Sequence, residues 1–408
     1  VTTTGTTTGT TTGTTTGTTT GTTTLITGIS ELVTNDGPDW DLGVIPGAAV
    51  LVEDGTVTWT GTAATAPDAE RTVDVGGRAV IPGFVDSHSH IVFAGDRSAE
   101  FTARMAGAAY DGGGIASTVA ATRSATDDAL RERARRLVGE ARAQGTTLLE
   151  VKSGYGLDTT QEKRLLGIAH EMTGEVTFLG GHVVPAEYRH DPDAYVHLVA
   201  GAMTQACAPS AKWGDVFCEP HSPVAFDEDQ SREILESARN HGLGLRVHGA
   251  QLGPGPGPRL AVELGAASVD HATFLTDADI DLLSQAAGSG GPVVTFLPVV
   301  EFSTRQPYPD ARRVIDAGIT VAVATDCNPG TCYSNSMSMA MAIAVREMGM
   351  TPDEALWAAT AGGARALRRA DVGKIAPGSR ADLAVVDAPS RDHIVYRAGV
   401  PLVRALDI

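Results

Sequence analysis

From residue 79 to about residue 325 the chain alternates between short apolar runs and longer stretches in which apolar residues recur every three or four positions. The short runs are Ala79–Val85, Thr146–Val151, Glu175–Leu179, Asp215–Cys218, Leu243–Val247, Ala267–Val269, Val293–Leu297 and Ile319–Thr325. Each has the length and content of a buried strand. The stretches between them read as amphipathic helices. Across Asp127–Ala143, for example, Leu130, Ala134, Leu137, Val138 and Ala141 share one face. Leu165, Leu166, Ile168, Ala169 and Met172 repeat that pattern, Ile234, Leu235 and Ala238 mark a third helix, and Ile280, Leu282 and Leu283 a fourth. Eight strands alternating with helices predict an α/β fold, a TIM-like (β/α)8 barrel over 79–370. A doubly wound sheet is the competing arrangement.

The two ends carry a different pattern. From Leu25 to about Gly77 the chain reads as short strands and tight turns: Leu25–Ile29, Ala48–Glu53, the turn Asp54-Gly55, Thr56–Thr60, and Arg71–Asp74 before Gly76-Gly77. Ala381–Val386 is a further strand after Pro377-Gly378. A small β-sandwich domain is therefore expected, built from 25–78 and 371–408. Residues 1–24 are Val1, five repeats of Thr-Thr-Thr-Gly and then Thr22-Thr23-Thr24. That low-complexity leader has nothing from which to build a core.

Polar residues cluster just past the strand ends. His88 and His90 follow the first strand, Glu150 and Lys152 end the second, and His182 follows the third. Glu219 and His221 follow the fourth, His248 the fifth, Asp270-His271 the sixth, Glu301 the seventh and Asp326 the eighth. Barrel enzymes build their sites on that face, and a ring of such residues is hard to explain as core or solvated surface.

Composition narrows the partners. The 408 residues are 42% hydrophobic, and 31 Lys and Arg against 49 Asp and Glu give a net charge of −18. This excludes a nucleic-acid backbone binder, which needs a basic surface, while one well-placed arginine still suffices for a small anionic substrate. Cys207, Cys218, Cys327 and Cys332 form no disulfide framework, in keeping with a reducing cytoplasm. No apolar run approaches the roughly 18 residues of a membrane span, and no secretory signal is visible. Gln251 to Gly257 is a Gly/Pro loop without the Gly-Lys-Ser/Thr ending of a phosphate loop, and Gly112-Gly113-Gly114 lacks the spacing of a dinucleotide fingerprint.

His88, His90, His248 and Asp326 are the candidate metal ligands. Three imidazoles and a carboxylate suit zinc, and also iron(II) or manganese. The bland alternatives are a satisfied core histidine at 248 and a turn residue at 326. A metal acidifies bound water and so supplies a nucleophile near neutral pH. His271 or Asp326 would take the proton, and the sequence does not rank them. Arg97 suits a substrate carboxylate, with Tyr155 donating to the same group. His182 and Gln251 are candidate contacts to the rest of the substrate.

The stretch Pro82-Gly83-Phe84-Val85-Asp86-Ser87-His88-Ser89-His90 resembles the first-strand signature of the amidohydrolase superfamily. Phe93–Phe101, Gly112–Ile115, Glu150–Leu157 and Ala324–Gly330 are together similar to the imidazolonepropionase family, over about residues 25 to 400. Gly373–Leu383 resembles the chain's return into the small β domain of the superfamily. The resemblance implies opening of the cyclic amide of 4-imidazolone-5-propanoate, in histidine degradation, with one zinc or iron ion. It places metal ligands on His88, His90, His248 and Asp326 and substrate contacts on Arg97, Tyr155, His182 and Asn328. His271 falls near the attacking water, and a homodimer is implied. One position departs: many members have a glutamate three residues after the fifth-strand histidine, where this chain has Gln251, an amide that cannot act as a carboxylate acid or base. Two other readings stand beside this one: another cyclic-amide hydrolase or aromatic deaminase of the superfamily, and a metal-binding barrel without turnover.

Overall fold

The computed structural model describes residues 1–2, 22–107 and 114–408. Most of the Thr/Gly leader and Gly112-Gly113 lie outside the described residues. Two sheets organise the chain. Strands β1 (Thr23–Leu32), β2 (Ile45–Glu53), β3 (Thr56–Thr62) and β4 (Arg71–Pro82) come first. The barrel strands follow: β5 (Phe84–Asp86), β6 (Thr146–Lys152), β7 (Glu175–Gly181), β8 (Trp213–Cys218), β9 (Gly244–Gly249), β10 (Ser268–His271), β11 (Val293–Phe296) and β12 (Val321–Val323). Strands β13 (Leu383–Val386) and β14 (Val403–Ala405) close the chain.

The small sheet has the order β14-β13-β4-β1-β2-β3, so both chain ends contribute to it. It is mixed, with β1 parallel to β4 and its other neighbours antiparallel. Asp54 and Gly55 join β2 to β3 with φ of 48° and 74°, the left-handed pair that a two-residue hairpin requires. The sheet has a core of its own around Ile26, Leu32, Val50, Val57, Val80, Ile375, Leu383 and Val385.

The expected first strand, Ala79–Val85, proves to be two strands in two sheets. Ala79 to Pro82 pair with β13 in the small sheet, whereas Phe84 pairs with Thr146 in the barrel. Gly83 is the crossing point: its N–H bonds to Asp382 O at 2.8 Å and the next N–H to Gly145 O at 2.9 Å. A Cβ at this position would collide with the Thr147 side chain. An apolar run cannot by itself show where a strand leaves one sheet for another, because burial is continuous across the change.

The eight barrel strands lie in sequential order, each parallel to the next. The seam between β12 and β5 is closed just beyond the strands by a Ser89–Cys327 bridge. Asp326 N–H donates to His88 O and His90 N–H to Cys327 O, both at 2.9 Å. The helices cover the barrel with the faces their periodicity predicts. In Asp127–Arg142, Leu130, Ala134, Leu137 and Ala141 are buried and Thr126 caps the first turn; such a cap is worth about 1 kcal/mol. No helix among the described residues is long and apolar enough to cross a membrane.

Candidate metal centre and active site

The closing seam sets the geometry. A strand places alternate side chains on one face, so His88 and His90 both point inward from the extended segment after β5, and the seam bonds bring Asp326 beside them. Nε2 of His88 and Nε2 of His90 are 3.3 Å apart. Asp326 Oδ1 lies 3.5 Å from the first and 3.4 Å from the second. His248, at the end of β9, brings its Nε2 to 3.4 Å from His90 Nε2. Ligands about 2.0–2.1 Å from one tetrahedral cation stand about 3.3 Å from each other, so the spacing of His88, His90 and Asp326 is that of atoms sharing an ion, with His248 beside them. All four residues are buried. His271 joins His88 and His248 in a second, overlapping cluster.

Partners behind the imidazoles fix which nitrogen faces the cluster. His88 Nδ1 is 2.8 Å from Asp270 Oδ2. A carboxylate only accepts, so the proton sits on Nδ1 and Nε2 presents its lone pair. His248 Nδ1 lies 3.0 Å from Asp215 Oδ2 in the same manner. Burial opposes charge on Asp270, yet Arg246 and Lys152 hold its carboxyl below the usual range. Asp215 is likewise held down, against burial, by His248 and Lys152. Lys152 Nζ reaches Glu150 at 2.8 Å and Asp215 at 2.9 Å, and Arg246 reaches Asp270 at 3.0 Å. Glu150 also accepts from Thr177 Oγ1. Two buried cations thus face the carboxyls of Glu150, Asp215 and Asp270.

Two further observations test whether a cation fits. Asp326 Oδ1 is buried and has no hydrogen-bond partner, and burial pushes its carboxyl well above the usual range; a cation at that oxygen reverses the penalty. His88 and His90 are held well below their usual value by burial, with Lys152 a further cause for His88 and His88 for His90. These two are therefore neutral, as metal ligands must be. The residues present can hold a divalent metal of the zinc or iron type.

Strained backbone marks the same strand ends. Ala250, His271, Ala272 and Asp326 have φ of 54°, 74°, 54° and 51°, values that non-glycine residues rarely adopt and that cluster at functional sites. Tertiary bonds impose them: Ala272 N–H to Gly249 O at 3.1 Å, Phe274 N–H to Ala250 O at 2.9 Å, and the Asp326 seam bond.

A cleft opens over the cluster, lined by His90, Arg97, Tyr155, His182, Gln251, Asp326 and Asn328, with Ile115, Phe217 and Leu252 as apolar walls. Arg97 is gripped by Glu100 through Nε at 2.8 Å and Nη2 at 2.6 Å. A Cβ at Gly114 or Gly330 would strike its guanidinium, so these two motif glycines make room for it. Tyr155 packs against the rings of His90 and His182. His182 Nδ1 donates to Gly154 O at 2.9 Å, which leaves Nε2 as an acceptor; burial pushes its pKa down to about 3. Gln251 and Leu252 give their N–H groups to Glu219 Oε2, each at 2.9 Å. The Asn328 amide is fully engaged within its own loop, donating to Asp326 O and Thr331 Oγ1 at 2.7 Å and accepting from Gly330 and Thr331 N–H at 2.8 Å.

Some of the ring lies elsewhere. His221 is exposed and donates to Pro254 O at 2.7 Å, against the Gly/Pro loop. Conversely, Asp215 and Arg246 carry the support of the cluster and escaped the sequence reading. Their signal is visible in retrospect: each is a charged residue inside an apolar strand, and Arg246 shares the inward face with His248.

The amidohydrolase family model matches residues 79–402. The chain is 62% identical over 382 residues to an imidazolonepropionase of Salinispora arenicola, covering 93% of this chain and 96% of that one. It is 60% identical over 385 residues to an imidazolonepropionase of Mycolicibacterium smegmatis, covering 94% and 95%. The chain belongs to the imidazolonepropionase family of amidohydrolases. Among solved structures it resembles an atrazine chlorohydrolase from Arthrobacter aurescens complexed with zinc, with a TM-score of 0.67, 18% identity, and 94% and 92% of the two chains covered. An adenosine deaminase from Xanthomonas campestris gives a TM-score of 0.65, 18% identity and coverage of 93% and 90%. At those identities the likeness shows the shared amidohydrolase fold. Membership of the imidazolonepropionases makes the chain a hydrolytic enzyme, and its buried His/Asp cluster is consistent with cyclic-amide hydrolysis.

Proposed function

We propose that this imidazolonepropionase-family chain hydrolyses 4-imidazolone-5-propanoate to N-formimidoyl-L-glutamate. The observation that carries the reading is the convergence of His88, His90, His248 and Asp326 under a cleft that has Arg97 in its wall. In this reading those four residues would hold one zinc or iron ion, which would supply an acidified water and Lewis-acid assistance there. Arg97, held flat by Glu100 and the two glycines, binds the propanoate, and Tyr155 sits beside it. His182 Nε2 accepts from a ring N–H. Gln251 hydrogen-bonds the ring without exchanging a proton, and Asn328 shapes the loop that sets Asp326. Asp326 and His271 are the groups near the water able to take its proton, and His271 is neutral because burial and His248 hold its pKa low.

The division into a leader (1–24), a composite β domain (25–78 and 371–408) and a catalytic barrel (79–370) belongs to the same proposal, with its bounds shifted because β1 begins at Thr23 and Ala79 to Pro82 pair in the small sheet. So does a cytoplasmic homodimer without nucleic-acid partners; the net charge of −18 and the exposed Phe101, Phe302 and Tyr333 support it. The test is loss of imidazolone absorbance in a coupled assay that starts from urocanate, run on metal-loaded protein. Turnover of the imidazolone to a formimidoyl amino acid is expected. Ammonia release from an aromatic amine with no ring opening would instead place the chain with a deaminase activity.

A further inference from the structure

Gln251 is an amide, so no carboxyl stands at that position to carry a proton to the departing nitrogen. Hydrolysis breaks one O–H bond of water and the ring C–N bond and forms a C–O and an N–H bond. One proton must therefore leave the attacking water and one must reach the departing nitrogen. Among the described residues, five carboxyls around the cluster have a buried oxygen with no hydrogen-bond partner: Asp215, Asp270, Asp326, Glu219 and Glu301; the three aspartates are a candidate ligand or back the histidines, which leaves the two glutamates. Glu219 is tied to the loop backbone through its other oxygen, holding Gln251 and Leu252. Glu301 has no such structural tie. It lies in the helix Pro298–Thr304 that follows β11, and is 2% exposed. Its Oε1 accepts from Thr273 Oγ1 at 2.7 Å, and its Oε2 has no partner. Thr273 stands two residues beyond His271 and is itself half-buried.

We propose that Glu301 is the proton-holding group that takes over, in this chain, the role a carboxyl at position 251 would play. It rests on the substrate reading above. As carboxylate it receives the proton released by the attacking water, passed on through the Thr273 hydroxyl, and as carboxylic acid it returns one by the same route to the departing nitrogen. No other donor or acceptor is required for the balance.

The surroundings suit the task. Burial pushes the Glu301 carboxyl up to about 7, with the Thr273 bond opposing, and a proton shuttle works best near the operating pH. The charge of Glu301 acts on Asp326, at the last strand end, and on Tyr308 beyond its own helix. Charged residues of the helices packed against it pair elsewhere: Arg104 with Glu100 and Gly330 O, Arg346 with Glu347. Among the described residues no lysine or arginine forms an ion pair with Glu301, so no fixed cation holds it as a carboxylate.

The test compares wild type, Glu301→Gln, and Glu301→Gln combined with Gln251→Glu, all metal-loaded and assayed with 4-imidazolone-5-propanoate across pH. Glu301→Gln is expected to lower kcat by about 100-fold, to leave KM within about threefold and metal content equal, and to remove the limb of the kcat profile near neutral pH. Restoring a carboxyl at 251 in that background is expected to recover at least about tenfold of the loss. A kcat within about threefold of wild type with the same pH profile would overturn the proposal, as would a loss that Gln251→Glu does not restore. Wild type inert toward the imidazolone would instead remove the substrate reading on which the proposal stands.

Discussion

Asp326 N–H donates to the carbonyl of His88 at 2.9 Å, and the Oδ1 of the same aspartate stands 3.5 Å from the His88 Nε2. The bond that closes the barrel thus also sets the distance between two candidate ligands. Burial raises the Asp326 carboxyl well above its usual range, so its ionised form weakens the metal-free fold at every pH above the unfolded value near 4. Asp326→Asn removes that penalty and a ligand together. With a chelator present the variant is expected to melt at or above wild type at pH 7, whereas with zinc present it melts below. Melting curves under both conditions check this crossing.

The carboxylates behind the histidines orient them and set the basicity of the nitrogen facing the metal. Asp270→Asn and Asp215→Asn are each expected to weaken metal affinity by roughly 10–100-fold. Competition against a chelator of known strength measures it. Equal affinity in wild type and both variants would mean that the imidazoles are held by packing alone.

Lys152 is fully buried between Glu150 and Asp215. Replacing it with methionine leaves those carboxylates uncompensated in the barrel interior. Such a loss typically costs about 3–5 kcal/mol, read as a fall in the denaturant midpoint. A hydrophobic replacement of one partner is the severe case, because the remaining charge has nowhere to go.

Arg97→Ala tests the carboxylate clamp. A charge-assisted bond contributes about 1.5–3 kcal/mol, so KM for the propanoate-bearing ring is expected to rise roughly 10–100-fold. Metal content should not change. If the ring is opened equally well with and without its propanoate arm, Arg97 does not bind it.

Glu301 also leaves a mark on stability. Its pKa is raised from 4.5 to about 7, so the folded state holds the proton more tightly than the unfolded chain. The penalty is absent below about pH 4.5, grows as pH rises through the interval, and is full above about 7, where it amounts to about 3 kcal/mol. Glu301→Gln is expected to raise the denaturant midpoint at pH 8 and to leave it nearly unchanged at pH 4.5. The same rise at both pH values would point to packing rather than ionisation.

The barrel was legible because its strands and helices obey different apolar periods, and because polar residues after each strand have no reason to be there in an inert fold. His88-x-His90 could be placed on one face from strand geometry alone. The split of Ala79–Val85 at Gly83 was not legible, since both halves are buried and only the pairing partners differ. Arg246 and Asp215 were hidden for a related reason: inside an apolar strand a single charge looks like an interruption until its partner, on a strand distant in sequence, is known. The engagement of the Asn328 amide within its own loop likewise depends on the left-handed turn at Asp326, which residue types alone do not announce.

The central claim is one cation shared by side chains from the first, fifth and last barrel strands. Anomalous diffraction at the zinc or iron edge, on crystals of metal-loaded protein, tests it most directly. One peak is expected about 2.0–2.2 Å from Nε2 of His88, His90 and His248 and from a carboxylate oxygen of Asp326. A peak bound by other residues, or none after loading with either metal, would contradict the account.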